Sequence, residues 1–228
     1  MSNETAGLAR RSIVSGMGIG LFAAGAFAAT QAEAQTARNQ VVQHPEDNWL
    51  DRPNAAHRLA IDSTTPEGGG GALAFANNFF EANKNGYRLD APSIAVVVVL
   101  RHFSTPFAYK DSMWVKYGAA FTAPTRFTDP KTKQSPKINV YNAAGYGLSL
   151  PNFGVTIDAV AAKGVQFAVC DMATHFFAMQ IADSMKLNAD AVYRELTTNL
   201  IPNAHMVAAG IVAVNRAQER GYTFAYSA

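Results

Sequence analysis

The pattern of apolar and polar positions predicts strands that alternate with helices. Residues 93–100 form an almost unbroken apolar, mostly β-branched run after Pro92, which is typical of a strand buried on both faces of a parallel sheet. Residues 56–62 predict an earlier strand, and residues 164–170 predict a later one. Between these strands, apolar side chains recur at helical spacing. They predict helices at 73–86 and 107–117.

The rest of the chain continues this alternation. It predicts helices at 159–163, 174–185, 189–198 and 211–220, and short strands at 204–208 and 222–226. Strands and helices joined by short connections predict an α/β fold, a three-layer α/β/α sandwich around a mainly parallel sheet of about five strands. Ligands of such sheets bind beyond the carboxyl ends of the strands. That edge would collect residues 62–65, Arg101 with His102, Cys170, and residues 208–210.

Three segments depart from the alternation. Residues 35–55 are polar and aperiodic, and we expect an extended, poorly ordered or surface-draped arm before the domain at 56–228. The four glycines at 68–71 lack the lysine and hydroxyl of a phosphate-binding loop, so they predict a flexible loop. Residues 119–152 form an insertion that is long for a connection and rich in proline and aromatic residues. Such a segment predicts either a cover over the Cys170 edge or a contact between subunits.

The first 34 residues resemble a bacterial twin-arginine export signal. Arg10 and Arg11 precede an uncharged stretch rich in glycine and alanine, and Ala32-Glu33-Ala34 has the small-x-small pattern of a cleavage site. This signal predicts a periplasmic protein with no stable membrane insertion after cleavage. Export through the general pathway and an uncleaved membrane anchor are the alternatives. Twin-arginine export permits a cofactor loaded before transport but does not require one, and no cofactor is predicted.

Composition narrows the function classes. Nineteen Lys and Arg against 17 Asp and Glu give a net charge of +2, so no nucleic-acid partner is predicted. The single cysteine excludes an intramolecular disulfide, so the core must supply the stability in an oxidising compartment. About 190 mature residues with 49% apolar content suit one domain with a full core.

Cys170 is the first candidate for chemistry, because it lies where a predicted strand meets a predicted helix. Backbone N–H groups and the positive end of a helix favour the thiolate, although free cysteine often serves only as a small buried hydrophobe. His175 lies five residues on and is placed to accept a proton. Arg101 and His102 end the central strand, where the arginine would bind an anion or form a structural ion pair.

Other polar residues have structural interpretations. Asp171 is predicted either to pair with a base or to cap the helix that follows Cys170, and the cap is favoured because acidic side chains are preferred at helix starts. His205 opens a short strand and is predicted to be a core or interface histidine. His44 and His57 are predicted to be peripheral.

The pattern around Cys170 resembles the DsrE/DsrF-like family, which includes sulfur-relay proteins. The matching features are Gly-Val-x-Phe-x-Val-Cys at 164–170, the helix after it, a return strand, and a last helix closing in Gln-Glu-Arg-Gly-Tyr at 218–222. The resemblance covers about residues 56–226. It implies the same α/β fold, a homo-oligomer of three or six chains, and a relay cysteine at Cys170 that exchanges sulfur with donor and acceptor proteins.

The residues and the resemblance together predict three alternative functions. The first is a persulfide carrier, in which Cys170, His175 and His102 are catalytic and Arg101 binds substrate. It needs one accessible thiol and no second cysteine nearby, since a resolving cysteine would discharge the persulfide as a disulfide. The second is a non-catalytic oligomeric protein that binds a small ligand or a partner. The third is a metal or haem binder through His102, His175 and Cys170, since imidazole and thiolate are ordinary ligands.

Overall fold

The structure is a computed structural model that describes residues 42–228. The predicted export signal and the first part of the predicted arm lie outside the described residues. Within residues 42–228, no helix is both long enough and apolar enough to cross a bilayer.

Five strands form one sheet in which every neighbouring pair is parallel, in the order β4-β3-β2-β1-β5. All seven residues of β2 are buried, which confirms the prediction of a central strand covered on both faces. The strands are β1 (His57–Ser63), β2 (Ile94–Leu100), β3 (Gln166–Cys170), β4 (Ala204–Val207) and β5 (Thr223–Ser227).

Six α-helices connect these strands within the described part of the chain, together with short 3₁₀ helices. The α-helices are α1 (Pro66–Tyr87), α2 (Asp111–Thr125), α3 (Ile157–Ala162), α4 (Asp171–Met185), α5 (Ala189–Thr198) and α6 (Gly210–Glu219). The 3₁₀ helices are Pro45–Leu50, Ala91–Ser93, His102–Ala108, Val140–Asn142 and Gly147–Ser149.

The order of the strands decides which face each helix covers. From β1 to β4 the chain steps across the sheet in one direction, and right-handed crossovers put all of these connections on one face. The return from β4 to β5 puts α6 on the other face. The core is accordingly two clusters, and the fold is the predicted three-layer α/β/α sandwich. Val96, Val98 and Leu100 of β2 join the first cluster, whereas Ala95, Val97 and Val99 join the second.

We call the first face the thick face, because α1 to α5 all contribute buried side chains to it. Its core is rich in aromatic rings. The Phe121 ring packs edge-on against Trp114 at 5.1 Å and against Phe177 at 5.9 Å between ring centroids. The Phe107 ring lies 4.4 Å from that of Tyr141. Such packing makes the thick face a dense layer that anchors the helices behind the strand ends.

The thin face is covered by α6 and by residues 45–55, which we call the strap. Leu50 is fully buried there, and its carbonyl accepts a hydrogen bond of 2.8 Å from the Tyr222 hydroxyl. Asp51 pairs with Arg220 at 2.9 Å. Of the two predicted alternatives, the poorly ordered arm is therefore wrong for these residues, and the surface-draped arm is the one that the structure has. The physical reason is that the ten residues of α6 leave part of the sheet's apolar surface to be covered by another segment.

The glycines at 68–71 lie in the first turns of α1, so the prediction of a flexible loop is also wrong. The Thr65 side chain caps this helix by accepting a hydrogen bond of 2.8 Å from the Gly68 N–H. A Cβ at Gly68 would collide with the Ser227 carbonyl, and one at Gly70 would lie 2.6 Å from the Tyr141 ring. The glycines are therefore explained by the close approach of β5 and of an aromatic ring to the helix backbone.

The segment 119–152 begins as helix, because α2 continues to Thr125. The remainder folds back over the thick face of its own chain. The Tyr141 hydroxyl donates to the Pro66 carbonyl at 2.8 Å, and the Asn139 amide donates to the Phe107 carbonyl at the same distance. These buried hydrogen bonds fix the segment as part of the fold.

Candidate functional site

A cleft of about 400 Å³ opens at the carboxyl ends of β2, β3 and β4. It brings together three of the four groups predicted at this edge, and the fourth reaches it through Asp62, which pairs with Arg101. No residue of 119–152 lines the cleft, so this segment is not the predicted cover over the Cys170 edge. The lining residues are Arg101, His102, Phe103, Cys170, Met172, Ala173, Phe176, Ala209, Gly210 and Ile211.

Topology explains why the cleft lies at this point. The connection after β3 enters α4 on the thick face, whereas the connection after β4 enters α6 on the thin face. Where neighbouring strands send their chains to opposite faces, the two connections diverge and leave a crevice, which is where open α/β sheets bind ligands. Cys170 lines one side of this crevice, and Ala209 and Gly210 line the other.

Cys170 ends β3 and is the residue immediately before α4, as predicted. It is buried but keeps 7% of its surface exposed, on the wall of the cleft. Its carbonyl accepts a hydrogen bond of 2.9 Å from the Thr174 hydroxyl, which in turn lies 2.8 Å from the hydroxyl of Tyr109. Burial raises the pKa of Tyr109, so this phenol stays protonated and can donate to Thr174. The chain of hydrogen bonds fixes the first turn of α4.

Arg101 is held by a bidentate ion pair. Its Nε lies 2.7 Å from Oδ1 of Asp62, and its Nη2 lies 2.8 Å from Oδ2. The hydrogen bond to Asp62 is the main cause that raises the pKa of Arg101, against the opposing effect of burial, and the charges of Asp62, Tyr226 and Cys170 add to the rise. Arg101 thus forms a structural ion pair, which was one of its two predicted roles. Its charge is balanced at the cleft, which removes most of its attraction for an anion.

Gly210 lets the Arg101 side chain pass. A Cβ at this position would lie 2.5 Å from Cβ of Arg101 and 2.8 Å from its Cδ. The sequence pointed to residues 208–210 by their place after a strand. It did not reveal that the start of α6 must lack a side chain for the arginine to reach Asp62.

His102 lines the cleft as predicted, at the start of the 3₁₀ helix after β2. Its backbone is left-handed, with φ of 57°, and its ring lies 4.2 Å from the ring of Phe103. Histidine is among the residue types that adopt this conformation more readily than most, so the turn after β2 can place its ring beside the cleft. The imidazole is exposed beside the cleft and is available for proton exchange.

His175 is not brought to the cleft. Its ring stacks on that of Tyr193 at 4.1 Å, and its Nε2 lies 3.5 Å from Oδ2 of Asp171. The Tyr193 hydroxyl donates to Oδ1 of Asp171 at 2.6 Å, and this hydrogen bond is the main cause that raises the pKa of Tyr193 to about 12. The helix cap predicted for Asp171 is not found. Its carboxylate instead approaches His175, which was the other alternative, and links α4 to α5.

The metal or haem centre of the third alternative function is not formed either. Within residues 42–228, no three or more His, Cys, Asp or Glu side chains lie close enough together to hold a metal ion. His102 and Cys170 share the cleft, but His175 faces Tyr193 on α5. A metal or haem centre that uses all three residues is therefore not supported.

Sequence reasoning missed the apolar part of the cleft. Met172 is 69% exposed, Phe176 is 37% exposed and Ile211 is 58% exposed, and all three line its walls. One signal for them was available. Met172 and Ile211 are large apolar residues in the first turns of helices that follow strands, which is where a parallel sheet presents side chains to a ligand.

Comparison with known proteins finds no matching family model, no matching curated protein and no matching solved structure.

Proposed function

We propose that this chain is a sulfur carrier of the DsrE/DsrF type that holds a sulfane sulfur on Cys170. The observation that carries the proposal is the position of Cys170, on the wall of an open cleft and directly before the first turn of α4. Helix N-termini stabilise negative charge, which a thiolate or a persulfide anion carries. The sequence contains no other cysteine, so a persulfide on Cys170 cannot be discharged within the chain as a disulfide.

The transfer step balances without a further reactant. The Cys170 thiolate attacks the outer sulfur of a donor persulfide, R–S–SH. A bond forms between Sγ of Cys170 and that sulfur, the S–S bond of the donor breaks, and the donor leaves as the thiolate RS⁻. The acceptor takes the sulfur from Cys170 by the same exchange in reverse. In this proposal His102 exchanges the proton of the persulfide, since its ring lines the same cleft.

We also propose that the carrier works in the periplasm as a homo-oligomer of three or six chains and exchanges sulfur with donor and acceptor proteins. The twin-arginine pattern at Arg10 and Arg11 supports the location. The resemblance to the DsrE/DsrF-like family supports the assembly and the exchange partners. Arg101 is assigned a positioning role, because its guanidinium is held by Asp62.

Intact mass spectrometry after incubation with polysulfide tests the function. We expect the wild-type protein to gain sulfur on Cys170, and the Cys170→Ser variant to gain none. A matched control moves the only thiol to the exposed far end of α4, in the double variant Cys170→Ser, Ser184→Cys. We expect sulfur on Cys170 to survive longer than sulfur on the relocated thiol. Equal loading and equal lifetime at both positions would refute the proposal, because the cleft would then contribute nothing.

A second candidate is non-catalytic binding of an apolar ligand or partner at the same cleft. The exposed side chains of Met172 and Ile211 favour it, since large apolar residues seldom cluster on a free surface without a partner. It predicts that Cys170 in the folded protein resists alkylation. Rapid labelling by iodoacetamide under native conditions would count against it and in favour of the carrier.

A further inference from the structure

We infer that the cleft selects zero-valent sulfur in an uncharged form, such as the ring of elemental sulfur, over sulfur oxyanions such as thiosulfate. This inference rests on the proposed function and names its substrate class. Two observations carry it, which are the balanced charge of the cleft and the apolar character of its walls.

The charge balance removes the usual means of binding an oxyanion. Among the lining residues in the described range 42–228, Arg101 is the only Lys, Arg, Asp or Glu. Both of its bonded nitrogens face Asp62, at 2.7 and 2.8 Å, and the Asp62 side chain is only 3% exposed. A doubly charged thiosulfate would leave water for a site whose arginine is already paired with Asp62, and desolvation of such an ion is costly.

The walls offer what an uncharged sulfur ring requires. Phe103, Phe176 and Ile211 supply apolar surface, and Met172 adds a polarisable thioether, which makes favourable contacts with soft groups. Ala173, Ala209 and Gly210 have small side chains or none, so they leave room beside Cys170. A hydrophobic ring that enters this space gains the free energy of leaving water, whereas an oxyanion does not.

The chemical step needs no other reactant. The Cys170 thiolate attacks one sulfur of the ring, a bond forms between Sγ and that sulfur, and one S–S bond of the ring breaks. The electron pair goes to the far sulfur, which ends the opened chain as an anion that stays attached to the protein. All atoms of the ring are retained, so the product is Cys170 carrying the whole opened chain.

The test compares donors on full-length protein, because any thiolate reacts to some extent with either one. Loading rates are measured by intact mass for dispersed elemental sulfur and for thiosulfate. Their ratio in wild type is divided by the ratio in the Cys170→Ser, Ser184→Cys variant. We expect this quotient to exceed unity by about tenfold, as burial of a few apolar contacts would give. A quotient of one or below would overturn the inference and leave the proposed function standing.

Two substitutions, each with a matched control, test the apolar walls and the balanced charge of the cleft separately. Met172→Gln should slow loading from elemental sulfur about fivefold. The control Met179→Gln lies on the same helix, is 53% exposed and does not line the cleft, and should have no effect. Asp62→Asn frees the guanidinium of Arg101 and should raise the rate with thiosulfate about tenfold. The control Glu195→Gln disrupts the remote pair with Lys116 and should not. Equal rates for Met172→Gln and Met179→Gln would overturn the inference.

A measurement of non-covalent binding tests the ligand class separately from the sulfur-carrier function. The Cys170→Ser protein is exposed to dispersed elemental sulfur, desalted and extracted. The amount of sulfur that it retains is compared with the amount retained by the double variant Cys170→Ser, Met172→Gln. Retention that is lost with Met172→Gln would support an apolar sulfur site. If Cys170 in wild type then carried no covalent sulfur, only the carrier function would fail. Absence of both retention and loading would overturn both.

Discussion

The thick and thin faces of the central sheet are covered by very different amounts of structure. On the thick face, five helices contribute buried side chains, and these include large aromatic ones such as Trp114 and Phe121. On the thin face, α6 and the strap cover a cluster made mostly of alanine and valine. The cleft lies where α4 and α6 depart toward these two faces. Cys170 is therefore anchored to the densely packed layer, while the opposite wall of its cleft belongs to the lighter one.

The largest effect is expected from the thick face. Phe121→Ala should lower the free energy of unfolding by about 3–5 kcal/mol, because it leaves a cavity among buried rings. Chemical denaturation measures this loss. The control Phe224→Ala removes a ring that is 48% exposed and should cost about 1 kcal/mol or less. Similar losses for both would mean that the aromatic layer is not the main source of stability.

A smaller effect is expected from the strap. Leu50→Ala should cost about 2 kcal/mol, toward the low end for a buried leucine, because a segment with few neighbours relaxes more easily around the cavity. We also expect the strap to become sensitive to limited proteolysis. The control is Val42→Ala, at a side chain that is 67% exposed. A strap that stays resistant in Leu50→Ala would show that Leu50 does not hold it to the thin face.

The third prediction concerns Gly210, which lies at the cleft between the two faces. Gly210→Ala should destabilise the protein by about 1–3 kcal/mol, since the new Cβ would lie 2.5 Å from Cβ of Arg101. We also expect a changed rate of alkylation at Cys170. Gly86→Ala is the control in α1, where a Cβ would have no neighbour within 4 Å, and it should stabilise by about 0.5–1 kcal/mol. If both Gly210→Ala and Gly86→Ala lowered the stability, or both raised it, the close approach at Gly210 would be ruled out as the cause.

The smallest effect concerns pH. The His205 ring stacks on Trp49 of the strap at 4.4 Å, and its Nε2 lies 2.9 Å from Oε1 of Gln166. Burial is the main cause that lowers the pKa of His205 below its ordinary value of 6.5, and the charge of Arg52 adds to it. Because the unfolded chain then binds the proton more readily, the free energy of unfolding should decrease as pH falls below 6.5.

Denaturation midpoints across that pH range measure the effect. His205→Gln should flatten the dependence, and His57→Gln at an exposed site should leave it unchanged. The same slope in wild type and in His205→Gln would assign the dependence to another group.

The fold class and the meeting of strand ends could be predicted from sequence, because both follow from local pattern. The β-branched run of β2 marks a strand covered on two faces, and parallel strands end at a common edge. These rules placed Arg101, His102 and Cys170 together without knowledge of any long-range contact. His102 and Cys170 could be named for that reason.

The errors concern positions that are decided by partners far away in sequence. The glycines at 68–71 favour a loop by local propensity, but β5 and Tyr141 approach so closely that only glycine fits there. His175 lies one turn from Cys170 along α4, yet the ring of Tyr193 on α5 fixes it elsewhere. For the strap, the sequence left a poorly ordered and a surface-draped arm as alternatives, because only Leu50 and Ala55 of its side chains are buried and the rest of the segment is polar. No local pattern contains these contacts.

The hydrogen bond from Tyr222 to Leu50 joins residues 172 positions apart, and the ion pair of Arg220 with Asp51 joins residues 169 apart. Contacts that close such long loops form slowly, because the chain must lose much of its conformational freedom before they contribute. During folding, the aromatic layer would therefore form first, and the part of the thin face that lies under the strap would stay uncovered for longer. We expect that surface to be the last part of the molecule to assemble and the first to open.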